Sequence, residues 1–98
     1  MKRPGWTRLS AAGCKLSTTW RHDASGWLVK HCGHQTANWP FYLVDPNYSE
    51  SLTMSHNGRG FLGARKGIEA VEAILAGSMV ATNDSCVPGV RRVVKAAA

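Results

Sequence analysis

The chain has 98 residues and a mass of 10.6 kDa, with 44% hydrophobic and 18% charged residues and a mean hydropathy of −0.20. That size predicts one domain burying roughly 60–65% of the surface its unfolded form exposes, and it excludes multi-domain enzymes and large cofactor folds. Twelve Lys and Arg against six Asp and Glu leave a net charge of +6, so disorder, collagen and coiled-coil compositions find no support while a polyanionic partner does.

In chain order, residues 1–16 read as a basic, flexible arm that Trp6 and Leu9 would dock. Thr18 to His22 and Trp27 to His31 are strand candidates, separated by the turn chemistry of Asp23-Ala24-Ser25-Gly26. That loop length sets His22 opposite Trp27 and Trp20 opposite Val29. Trp20, His22, Trp27 and Val29 then share one face, and Arg21, Leu28 and Lys30 the other. Cys32 to Pro40 reads as a loop. Phe41 to Val44 is a short apolar strand, and Asp45-Pro46-Asn47 a turn. Leu52, Met54 and His56 alternate with polar residues, which predicts a half-exposed strand ended by Asn57-Gly58. Ala64, Ile68, Val71, Ile74 and Leu75 form the apolar stripe of a helix over 64–76, with Gly77 as its stop. Val87 to Lys95 fits either a strand or a tail.

The expected architecture is α+β: a small antiparallel sheet of three to four strands with one helix packed across one face. Residues 17–86 form its single domain. Residues 87–98 are a basic C-terminal tail or an edge strand. The helix stripe covers one sheet face only, so the other either meets a partner or is covered by the tail.

Charge is unevenly spread. Residues 1–30 hold six bases and only Asp23, residues 31–58 hold none, and Arg59, Arg65 and Lys66 then cluster before Arg91, Arg92 and Lys95. Gly58-Arg59-Gly60-Phe61-Leu62-Gly63 spells G-x-G-x-x-G, but too little chain follows for a dinucleotide fold. It also matches the G-x-x-G of a KH loop, without the helix that should precede it. What survives is physical: a helix start offers unpaired N–H groups, and Arg59, Arg65 and Lys66 surround it. The candidate anion or nucleic-acid site is therefore Arg21, Lys30, Gly58, Arg59, Gly60, Arg65 and Lys66. A glycine-rich turn beside a solvated basic face is the bland alternative.

His31, Cys32 and His34 resemble metal ligands, with Cys14, His22, His56 or Cys86 as a fourth, yet the spacing matches no common zinc module. A Cys32 nucleophile lacks an orienting carboxylate. No cofactor is expected, and no enzyme, apart from a Cys/His metal-site alternative. Of the four tryptophans, Trp20 and Trp27 read as core. Trp39 and Tyr48 lie in loop-like segments and read as protein-interface anchors.

Three cysteines without C-x-x-C suggest free thiols in a reducing compartment. No apolar run follows Met1-Lys2-Arg3-Pro4-Gly5, so no signal peptide is expected, and no membrane span appears. A cytoplasmic setting follows.

The run from Gly26 to Tyr42, including His31-Cys32-Gly33-His34-Gln35-Thr36-Ala37-Asn38-Trp39-Pro40, together with Asn57 to Phe61 and the Ala/Glu-rich helix, resembles small prophage and transposable-phage proteins of Gram-negative bacteria. The resemblance covers about residues 20–76 and carries no functional residues with it. It implies a phage origin and a host-cell setting. Proteins of this kind are often nucleic-acid binders or inhibitors of host machinery, anti-CRISPR proteins among them. Strands followed by a helix are also similar to AP2-type DNA-binding domains, by fold analogy alone.

The expectation is a non-catalytic binding module, a monomer or small homo-oligomer, contacting nucleic-acid phosphates through its basic arm and helix N-terminus. The alternative is an inhibitor of a host protein or nucleoprotein complex.

Overall fold

The computed structural model describes residues 3–9, 18–33, 38–48, 52–55, 59–82 and 89–96. Seven strands form one sheet: β1 (Trp6–Arg8), β2 (Thr19–His22), β3 (Leu28–His31), β4 (Phe41–Val44), β5 (Leu52–Met54), β6 (Met79–Thr82) and β7 (Val90–Lys95). A single helix, α1 (Ala64–Leu75), lies between β5 and β6 in sequence. Strand order is β1-β2-β3-β4-β5-β7-β6. All neighbours are antiparallel except β5 and β7, which run parallel because α1 and β6 carry the chain across between them.

This corrects the expected antiparallel sheet of three to four strands. The α+β character and the one helix remain, but the sheet is mixed and has seven strands. Two strands escaped the sequence reading and a third was left open between strand and tail, each for a local reason. Strand β1 has only Trp6 as an apolar residue, so it read as part of an arm; it pairs with β2 through Trp6↔His22 and Arg8↔Trp20. Strand β6 follows the helix after a tight turn and shows no polar alternation. Strand β7 is neither tail nor edge: it lies between β5 and β6, and its alternation is masked because Arg91 is buried.

The β2–β3 hairpin has the expected register. Trp20 faces Val29, and the His22 amide donates to the Trp27 carbonyl at 2.8 Å. Alternation then divides the whole sheet into two faces. Trp6, Trp20, Val29, Leu43, Thr53, Arg91 and Val93 point to the helix side, and all are buried. The phase of β5 is the reverse of the expected one. Thr53, aligned with Leu43, is fully buried, while Leu52 is 38% exposed.

The helix buries Gly67, Ile68 and Val71 against this face. Gly67 permits the close approach, since a Cβ there would lie 2.7 Å from Cγ1 of Val29 and 3.3 Å from Cδ2 of Leu43. Leu75, assigned to the apolar stripe, is instead exposed at the last turn. Gly77 terminates the helix with φ +84°. Its amide donates to the Ile74 carbonyl and that of Ser78 to Ala73, the two bonds of a Schellman motif.

Seven strands at about 4.8 Å spacing would set the edges of a flat sheet about 29 Å apart. Yet Trp6 on β1 donates from Nε1 to Glu72 at 3.3 Å, while Ala73, the next residue, lines one groove with Met79 on β6. The sheet therefore curves around the helix, and its outer face is convex. Arg3 reinforces the β1 side, its Nη2 donating to Oε1 of Glu72 at 2.6 Å. That bond holds the Glu72 carboxyl below the usual carboxylate range, against the opposing effect of partial burial and with help from Trp6. It raises the Arg3 guanidinium in turn.

Candidate nucleic-acid interface

The convex face is composed of Thr7, Arg21, Thr19, Leu28, Lys30, Tyr42, Val44, Leu52, Met54, Val80, Thr82, Val90, Arg92 and Val94. None of these is buried, and no described element packs over them. Two rows run across the strands. Arg21, Leu28, Val44, Leu52 and Val90 are successive partners in one. In the other, Lys30 faces Tyr42, continuation of the register sets Tyr42 beside Met54, and Met54 faces Arg92. Lys30 and Tyr42 are thus about 5 Å apart at Cα, and Lys30 and Arg92 about 14 Å.

Among the described strand residues, no Asp or Glu has its place on this face. Asp23 stands at its rim, 3.6 Å from Nη2 of Arg21 and bonded by the Thr7 hydroxyl at 2.7 Å. The remaining described carboxylates are engaged or placed elsewhere. Asp45 is buried with Arg91, Glu72 is held by Arg3, and Glu69 stands on the helix. Arg21, Lys30 and Tyr42 therefore share this face with Arg92, whose Nε is itself buried. Arg21 and Lys30 belong to the sequence-derived site. Arg92 was missed: its basic segment was visible, but its face could be assigned only once Arg91 was known to be buried.

The expected anion corner at the helix start is only partly assembled. Gly63 is the N-cap, extended at φ −153°, with no side-chain cap and no acid in the first turn. Arg65 and Lys66 are exposed there. Arg59 instead lies over the Trp39 ring, 4.6 Å from its centroid. Ser55 holds that segment, donating to the Arg59 carbonyl from its amide at 2.7 Å and its hydroxyl at 2.6 Å. Gly60 has a packing role: a Cβ would collide with the carbonyl oxygens of Trp39 and Phe41, where Phe41 and Phe61 exchange backbone hydrogen bonds. Gly58 lies outside the described residues.

Trp39 and Lys66 do come together, in a groove of about 500 Å³ lined also by Phe61, Leu62, Glu69 and Met79. Trp39 is 44% exposed. Tyr48, the other expected interface anchor, is also exposed, but one side of its ring covers the Arg91 guanidinium at 4.2 Å.

The histidine-cysteine loop has a structural account. The His31 ring meets Phe41 edge-on at 5.0 Å, and its Nδ1 accepts from the Gly33 amide at 2.9 Å. Cys32 is a free, exposed thiol. His34 lies outside the described residues, as do Cys14, His56 and Cys86. Among the described residues no group of three His, Cys, Asp or Glu gathers as a metal site requires, and no helix is long and apolar enough to cross a membrane. No protein family, no curated protein and no solved structure matches this chain.

Proposed function

We propose that this protein is a non-catalytic module that binds nucleic acid on the convex face of its sheet. The observation carrying this reading is the row Lys30–Tyr42–Met54–Arg92, with Arg21 beside it. Cations flank an aromatic side chain on a face that no described element covers. Phosphates interact with these cations, Arg21 sharing its charge with Asp23 at the rim, and Tyr42 supplies a stacking surface of the kind that sheet-based nucleic-acid binders use. This moves the contact from the arm and helix N-terminus to the sheet. The net charge of +6 adds long-range attraction, and the resemblance to small prophage proteins fits such a module acting in a host cell.

Three phosphate contacts give a logarithmic salt slope of about −2 to −3. Affinity for a labelled oligonucleotide, read by fluorescence anisotropy, is then expected to fall roughly twenty- to fortyfold between about 50 and 200 mM salt. The variant K30A/R92A flattens the slope by about 1.4–1.8. No binding at the lower salt, or an unchanged slope in the variant, overturns the reading.

A second reading, an inhibitor of a host protein complex, is favoured by the apolar row Leu28–Val44–Leu52–Val90. Leu52 is exposed and the other three are partly so, and a contiguous apolar strip of this kind marks protein contacts in other molecules. On this reading Leu52→Asp abolishes capture of a nuclease-resistant partner and leaves the salt slope for oligonucleotide alone.

A further inference from the structure

The groove beside Trp39 lies outside the convex face and is not needed for the phosphate contacts. Its volume of about 500 Å³ falls in the range of pockets that hold small ligands. Its floor is apolar, built from Phe61, Ala70, Ala73 and Met79, with Leu62 two-thirds exposed at the lip. Trp39, 44% exposed, also lines the groove, and Arg59 stacks on the Trp39 ring without lining it. Lys66 supplies a cation at the rim. Glu69, one turn further along α1, lines the same groove, so the groove holds one cation and one carboxylate. The chemistry called for is a planar apolar ring bearing a single negative group.

Trp39 stands three residues before Tyr42, so the groove lies at the same end of β4 as the proposed row, at most about 10 Å along the chain but on the opposite, helix-bearing side of the sheet, and a strand reaches both only by passing around that end. Gly60 fixes the arrangement, because only a residue without a side chain lets the 59–61 segment cross against the Trp39 and Phe41 carbonyls.

We infer that the groove takes one unstacked nucleobase, its ring against Trp39 and its phosphate at Lys66, so that the protein selects single-stranded over double-stranded nucleic acid. The inference rests on the nucleic-acid reading above. A paired base is stacked on both sides inside a duplex and cannot enter without being extruded, whereas a single strand presents its rings freely.

The molecule supplies its own reporter. Trp6, Trp20 and Trp27 are buried, and Trp39 is the exposed tryptophan. The full-length protein is titrated with oligocytidine of about 12 nucleotides and with a duplex of the same length, following both tryptophan emission and anisotropy. The single strand is expected to quench Trp39 and to bind more tightly than the duplex. Trp39→Ala lowers single-strand affinity by roughly five- to a hundredfold with duplex affinity unchanged, Trp39→Phe retains most of it, and Lys66→Ala flattens the single-strand salt slope by about 0.7. A strand that binds without quenching, or equally well to Trp39→Ala, overturns the groove while the convex face stands. If neither strand nor duplex binds, both readings fall.

Discussion

Arg91 and Asp45 form a nearly buried ion pair, Nη1 to Oδ2 at 2.7 Å, with side chains 11% and 8% exposed. The guanidinium also donates from Nη2 to the Ala81 carbonyl at 3.1 Å and is covered by Tyr48. Asp45 in turn accepts from the Asn47 amide at 2.9 Å, closing the turn after β4. One pair thus ties β7 and β6 to the β4 turn. Arg91→Ala leaves a buried carboxylate without its counter-ion, so the expected loss is about 3–5 kcal/mol, read from urea unfolding. Arg91→Met, which fills the space but keeps the orphaned charge, is rescued by adding Asp45→Asn.

Thr53 stands next to Arg91 on the buried face and is fully enclosed, yet its Oγ1 has no hydrogen-bond partner among the described residues. An unpaired buried hydroxyl is a cost. Thr53→Val keeps the shape and removes it, and is expected to raise stability by about 1 kcal/mol.

Gly67 sets the distance between α1 and the sheet. Gly67→Ala gains about 1 kcal/mol of helix propensity, but its methyl group would press on Val29 and Leu43. Overpacking of about 1–3 kcal/mol outweighs that gain, so the single variant is destabilised. Val29→Ala in the same chain makes room. A double-mutant cycle on unfolding free energies should therefore return a favourable coupling between the two substitutions.

The pinning of β1 by Glu72 is sensitive to acid. Its carboxyl titrates lower in the fold than in the unfolded chain. The stabilisation is therefore present above the ordinary carboxylate pKa of about 4.3 and is lost as the pH falls through the lowered folded value. The pair is partly exposed, its side chains at 25% and 40%, so the contribution stays below about 1 kcal/mol. Glu72→Gln should be less stable than the native protein at pH 7, with the gap closing below about pH 4. Hydrogen exchange at Trp6 and Arg8 locates the effect.

The hairpin register, the helix and its glycine stop were legible in the residues, because turn chemistry and a 3.6-residue stripe are local signals. The sheet's extent was not. Val90 to Lys95 fits either a tail or a strand until Asp45, 46 residues before Arg91, is seen to neutralise that arginine in the buried face, and alternation then sets Arg92 on the other. The same distance problem hid the groove. Trp39 was visible as a surface aromatic and Lys66 as a helix cation, but only the Phe41–Phe61 crossing brings them together. Arg59, grouped with Arg65 and Lys66 by charge clustering in the sequence, has its guanidinium stacked on Trp39, a contact that the sequence did not indicate.

The central claim is that the convex sheet face is the binding surface. Chemical-shift mapping of the isotope-labelled protein during titration with an oligonucleotide tests it most directly. At low salt the amide resonances of Leu28, Lys30, Tyr42, Met54 and Arg92 should move together, and the movement should fade as salt is raised. A spectrum that does not change, or one in which helix resonances move while those five stay fixed, contradicts the account.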